Sequence, residues 1–227
     1  MTGRLRLVIF DVDGTLVDSQ GDISAAMTAA FQAEGLVPPI LNSVLGIVGL
    51  SLDVAMPILA PEEDTVMHGR LVQGYKDAYM TLRAQTGTAA SSPLYPGARE
   101  ALEELHMMPD VLLGVATGKS KRGLDKLIEG HGLEKFFVTR QVADFHPSKP
   151  HPSMIFEALR DAGVEKSDAV MVGDTSFDMD MAAAAGVTGI GVSWGYHGPE
   201  RLGAAQYNIE GFDALGPLVQ RIWETVS

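Results

Sequence analysis

The sequence predicts an α/β protein: a doubly wound, Rossmann-like parallel sheet with an all-helical cap inserted into it. Three observations carry this. Five short runs of Val, Ile, Leu, Phe and small residues are apolar without alternation, the pattern of strands buried on both faces. Stretches with helical spacing lie between successive runs, and alternation of this kind implies βαβ units. The gap between the first run and the second is about 100 residues, where a crossover needs only a dozen or more.

In chain order the strand runs are 7–10, 111–116, 136–139, 169–172 and 189–193. Ala98, Ala101, Leu102 and Leu105 mark one helical stripe, opened by Pro96 and Gly97. Leu124, Leu127 and Ile128 mark a second, and Ile155, Phe156 and Leu159 a third that Gly163 closes. Met171, Met179 and Met181 read as core packing, and the alanines at 182–185 as helix filler. Within the long gap, 22–35 has helical spacing with a Gly stop, 51–59 suits another helix, and 62–85 a long one. No run there suits a strand. The expected division is a core of residues 1–19 and 91–227 and a helical cap of residues 20–90.

Composition narrows the function classes. Lys plus Arg number 17 against 29 Asp plus Glu, a formal charge of −12. This disfavours binding to nucleic acid or anionic lipid, both of which require positive fields. The absence of cysteine excludes disulfides, thiolate metal sites and a cysteine nucleophile. The apolar run that ends before Asp11 is too short for a signal peptide, and no stretch approaches a membrane span, so a cytoplasmic location is expected.

In an open parallel sheet, ligands bind outside the carboxyl ends of the strands. The first strand breaks into Asp11, Val12, Asp13, Gly14 and Thr15; the second ends at Thr117 and Gly118; the fourth ends at Gly173 and Asp174, with Asp178 following. Lys149 stands in a loop among Pro147, Pro150 and Pro152 at the same edge. Singly, each has an ordinary reading: Asp13 and Gly14 as a turn, Asp174 as a helix cap, Thr117 and Gly118 as a turn, Lys149 as a surface charge. Jointly, Asp11, Asp13, Asp174 and Asp178 at one rim repel one another unless a cation or a shared proton intervenes. Mg²⁺ suits oxygen ligands of this kind and leaves positions for water and a phosphate oxygen. Around a phosphoryl group, Asp11 is placed to attack phosphorus and Asp13 to protonate the leaving oxygen, with Thr117, Gly118 and Lys149 at the equatorial oxygens.

VIFDVDGTLVDS, VATGKS, SKPHP and VGDTSFDMDMAAAAG, in this order, resemble the four signature motifs of the haloacid dehalogenase superfamily of phosphohydrolases. The resemblance implies a nucleophile at Asp11, a general acid/base at Asp13 and phosphate binders at Thr117 and Lys149. It implies an Mg²⁺ set drawn from Asp11, Asp13, Asp174 and the backbone carbonyl of Val12, with Asp178 a further carboxylate in or behind that set. The insert resembles the family's first cap type, and WGYHGP at 194–199 is similar to its phosphoglycolate phosphatase-like branch. The family's dehalogenases lack the second Asp of the first motif, so Asp13 argues against that activity.

The expected activity is Mg²⁺-dependent hydrolysis of a small phosphorylated metabolite, a phosphoglycolate-like phosphomonoester, through an aspartyl phosphate. A sugar phosphomutase, a pyrophosphatase and a non-enzymatic phospho-accepting switch are the alternatives. The cap loop GIVGLSLD carries no Lys or Arg, which favours hydrolysis over transfer to a sugar phosphate. A second negative charge on the substrate would then have to meet Arg70, Lys76 or Arg83, whose ordinary reading is solvated helix charge. The expected partner is the small metabolite alone, with the chain a monomer or homodimer.

Overall fold

A computed structural model describes residues 4–226. The chain runs β1 (Arg6–Phe10), α1 (Gln20–Ala33), α2 (Leu41–Leu45), α3 (Leu52–Leu59), α4 (Thr65–Thr86), α5 (Thr88–Ser91), α6 (Ala98–Met107), β2 (Val111–Thr117), α7 (Lys121–His131), β3 (Phe137–Val142), α8 (Ser153–Ala162), β4 (Ala169–Gly173), α9 (Ser176–Ala185), β5 (Thr188–Val192), β6 (Tyr207–Ile209) and α10 (Leu215–Val226). The strands form one sheet in the order β3-β2-β1-β4-β5-β6, and every neighbouring pair is parallel. The order reverses between β1 and β4, which opens a crevice at their carboxyl ends.

Helices cover both faces. Leu102, Leu127 and Trp223 from α6, α7 and α10 pack with Val8, Phe10 and Val115 on one face. Met154, Ile155 and Met181 from α8 and α9 pack with Leu7, Ile9 and Met171 on the other. The methionines at 171, 179 and 181 are buried, as expected. Phe156 departs from the expected stripe: it is half exposed, and Met154 and Ala158 take the buried face with Ile155. The third strand starts one residue later than expected and runs on to Val142, with Val138 exposed, because β3 is an edge strand covered less completely than the central ones.

Between β1 and β2 the described residues form helices and no regular strand. The insert has its own apolar core, in which Ile23, Met27 and Phe31 of α1 meet Met56 of α3 and Leu71 of α4. α1 and α4 are its principal pair: Gly74 lets α4 approach until a side chain there would touch Ala30 at 3.5 Å. No helix among the described residues is long and apolar enough to cross a membrane.

Candidate active site

Asp11 leaves β1 at the reversal of strand order. Its backbone N–H donates to the Val172 carbonyl of β4 at 2.9 Å, so the neighbouring strand holds the first turn of the site. The chain then folds back on itself. The Val12 carbonyl accepts the N–H groups of Leu16 and Val17 at 2.9 and 3.0 Å, with Thr15 at 3.3 Å. That oxygen, between Asp11 and Asp13, closes the turn. Gly14 has φ +85°, and any side chain there would run into the Asp174 carboxylate, so glycine is required twice over.

Asp11, Asp174 and Asp178 converge, with carboxylate oxygens within 4.8 Å of one another and all three side chains buried. Lys149 lies beneath them, fully buried, its Nζ 2.7 Å from Asp11 Oδ1 and 2.6 Å from Asp178 Oδ1. The surface-charge reading of Lys149 therefore fails. Asp178 also braces the turn into α9, since its Oδ2 accepts the N–H and hydroxyl of Thr175, whose own oxygen caps that helix. The helix cap is thus Thr175, which frees Asp174 to accept the Thr15 hydroxyl at 2.9 Å and the Tyr196 N–H at 2.8 Å. Burial pushes Asp11 up to about 7 against the pull of Lys149, and burial together with Asp11 and Asp178 holds Asp174 well above the ordinary carboxylate range.

Asp13 stands apart from this triad. Lys119 Nζ grips both its oxygens at 2.6 and 2.7 Å, and the Ser19 hydroxyl donates to Oδ1. Burial alone would raise its pKa, but the Lys119 ammonium, with these hydrogen bonds, carries it below the usual value. Lys119 is not among the residues expected from the sequence, although it stands two positions after Thr117 in the VATGKS run. Thr117, the last residue of β2, and Gly118 after it line the same cavity as Asp11 and Asp13. A side chain at Gly118 would come within 2.6 Å of the Gly49 carbonyl, so the insert loop lies directly on this turn.

Further bonds join insert and sheet. Ser51 N–H donates to Ser148 Oγ at 2.9 Å, and Lys119 Nζ also reaches the Tyr79 hydroxyl at 3.3 Å. His197 accepts the Ser176 N–H on Nδ1 and donates from Nε2 to the Gly46 carbonyl. Of the cap-helix cations, Lys76 is exposed and Arg70 pairs with Glu34 at 3.3 Å. Arg83 is instead buried, over the Tyr79 ring and bonded to Ser92 and Gly123, which corrects its reading as solvated charge.

A strand-end Asp triad over a buried lysine, at the switch point of a 3-2-1-4-5-6 sheet, is the arrangement that the four motifs imply. The chain belongs to the haloacid dehalogenase-like hydrolase family, whose model matches residues 8–192. Among its relatives, a protein of Dickeya dadantii named probable phosphatase IndB is 36% identical over 204 residues, covering 88% of this chain and 86% of the relative. A phosphoglycolate phosphatase of Vibrio parahaemolyticus is 30% identical over 220 residues, covering 95% of each. A hydrolase from Pseudomonas syringae of known crystal structure superposes with a TM-score of 0.81 at 26% identity, over 95% of this chain and 98% of that one.

Proposed function

We propose that the protein is a Mg²⁺-dependent phosphatase that hydrolyses a small phosphomonoester through an aspartyl phosphate on Asp11. The observation that carries this reading is the Asp11 side chain. Its Oδ1 is held by Lys149, while its Oδ2 is buried with no hydrogen-bond partner, beside two further carboxylates. An orphaned oxygen in such a cluster suits a cation ligand and a nucleophile, because unpaired buried carboxylates are costly otherwise. Asp11, Asp174 and Asp178 would hold the ion. When bound, Mg²⁺ supplies Lewis-acid charge that offsets the phosphoryl group and the carboxylates together.

Asp11 attacks phosphorus, forming an acyl phosphate as the ester P–O bond breaks. The leaving oxygen takes a proton from Asp13, which on this reading is protonated in the substrate complex against the pull of Lys119, and departs as the alcohol. Water then attacks the acyl phosphate, gives its proton to Asp13, and releases inorganic phosphate with Asp11 regenerated. Thr117, the Gly118 N–H and Lys149 serve the phosphate oxygens, where transition-state charge gathers. On this reading the helical insert of residues 20–90 serves as a cap, and its contacts at Gly118, Ser148 and His197 support a role in excluding water from the first step.

The test is phosphate release from small phosphoesters with Mg²⁺ and with EDTA, for wild type and Asp11→Asn. Release that needs Mg²⁺ and disappears in the folded variant is the expected result. Turnover by Asp11→Asn at the wild-type rate would sink the covalent mechanism.

A further inference from the structure

The phosphate end of the site opens into a partly open cavity of about 620 Å³ between the sheet and the insert. Ile23 and Met27 from α1, Val48 and Leu50 from the loop before α3, and Tyr75 and Tyr79 from α4 form an apolar and aromatic stretch of its lining, and its cations are Lys76, Arg83, Lys119, Arg122 and Lys126. At about 30 Å³ per water-sized group, the space holds roughly 20 such groups. A phosphate ester of a two-carbon acid fills about half of it or less. The rest would be water against apolar walls, or a larger leaving group.

Charge decides which. A carboxylate on the leaving group needs a cation free to receive it, because burying it unpaired is strongly unfavourable. The buried cations here already face a carboxylate of the protein. Lys119 is held by Asp13. Arg83 spends Nη1 on the Gly123 carbonyl at 3.3 Å and Nη2 on the Ser92 hydroxyl at 3.1 Å and covers the Tyr79 ring; its Nε makes no hydrogen bond, and its charge is met by the Asp22 carboxylate at 3.9 Å. Lys126 pairs with Glu129, and Lys76 and Arg122 are exposed, where charge pairing is weak.

We propose that the substrate is a phosphomonoester of a neutral, apolar or aromatic alcohol, and that the sleeve formed by α1, the 47–50 loop and α4 selects it over esters of acidic alcohols such as phosphoglycolate. This rests on the phosphatase reading above and names the leaving group for it. The sleeve binds that group by removing its apolar surface from water, and the tyrosine rings offer their faces to an aromatic one.

The test compares kcat/KM for benzyl phosphate and phosphoglycolate, two esters of primary alcohols, with acetyl phosphate as an unhindered reference. Benzyl phosphate is expected to lead by about 10-fold or more, the scale set by burying one apolar ring. Val48→Lys, which adds a free cation to the sleeve, should reverse the order. Met27→Ala, which keeps the wall uncharged, should lower the ratio of benzyl phosphate to phosphoglycolate and serves if Val48→Lys does not fold. Equal rates, or a lead for phosphoglycolate in wild type, would overturn the proposal and leave the phosphatase standing. No release from any of the three, acetyl phosphate included, would overturn the phosphatase reading and this one with it.

Discussion

Replacing Lys149 with Met asks what permits three carboxylates to share one buried rim. Lys149 Nζ lies 2.7 and 2.6 Å from Asp11 and Asp178, with all three side chains at 1% exposure or less. At an effective dielectric of about 20, each contact is worth roughly 6 kcal/mol of Coulomb attraction, most of it offset by desolvation. Methionine keeps the length and the apolar stem and leaves the carboxylates unpaired. Loss of one partner from a buried pair costs about 3–5 kcal/mol. For a chain of this size that corresponds to a fall of roughly 6–20 °C in Tm. The assay is thermal denaturation in EDTA at pH 7.5. The loss should shrink toward pH 5. Burial pushes Asp11 up to about 7 in the wild type, so its cost accrues as pH rises from the ordinary carboxylate range to that value; the variant raises it further, and the additional cost accrues only above about 7. Lys149→Met combined with Asp178→Asn should recover part of the loss, because the second change removes one of the orphaned charges. A Tm within about 2 °C of wild type in EDTA, at a scale of a few degrees per kcal/mol, would refute the claim that Lys149 balances this cluster.

Three further expectations follow from individual contacts. Gly118→Ala puts a methyl group 2.6 Å from the Gly49 carbonyl, so the insert loop cannot seat; kcat/KM should fall at least about 10-fold while Tm moves by only a few degrees, as steady-state kinetics and a melting curve will show. Lys119→Met removes both ammonium contacts from Asp13, so its pKa should rise and the basic limb of kcat/KM should move to higher pH; an unchanged profile would mean that Asp13 is not the titrating acid. Burial and Arg201 hold His197 down to about 4, below the free value of 6.5, so the unfolded chain binds the extra proton between these pH values. Its contribution is present above pH 6.5 and lost as pH falls toward 4, by at most about 3 kcal/mol, and His197→Gln should flatten that part of the stability curve in denaturant titrations.

The parts of the fold that are legible in the sequence are those where burial is complete. β1, β2, β4 and β5 are central strands, and continuous apolar runs mark them to within about a residue or two at each end. β6 escapes because it is a three-residue edge strand, YNI, with Tyr207 and Asn208 exposed. α10 does carry a signal, and it is missing from the expected elements: Leu215, Leu218, Val219, Ile222 and Trp223 are buried at helical spacing. In the site, Asp11, Asp174 and Lys149 can be placed because each stands at or near a strand end or in a helix-entry loop, where topology alone decides position. The partners of Asp13 cannot. Lys119 lies 106 positions from it in sequence, and only the packing of β1 beside β2 makes them neighbours. The burial of Arg83 is invisible for a similar reason, since a helix stripe does not say which charge meets the adjoining loop.

The two lysines also explain how a chain of charge −12 can receive an anion. Asp11, Asp13, Asp174 and Asp178 set against Lys119 and Lys149 give 2 − 4 = −2 at the site when all are ionised. A phosphate dianion meets net repulsion there. The raised pKa values of Asp11 and Asp174 are the response of the protein alone: burial and the neighbouring carboxylates favour the protonated form of each, which relieves the same repulsion. A divalent cation has the charge that cancels −2, and it requires those protons to leave, so on the proposed reading cation uptake, proton release and phosphate binding are linked events. Placing Lys119 on Asp13 and Lys149 on Asp11 and Asp178 leaves Asp174 as the one carboxylate of the four with no lysine, its oxygens held only by Thr15 and Tyr196. On the proposed reading that distribution leaves the uncompensated charge for the ion, at a carboxylate that does not line the cavity, whose Ile23, Met27, Val48, Leu50, Tyr75 and Tyr79 suit a leaving group without charge.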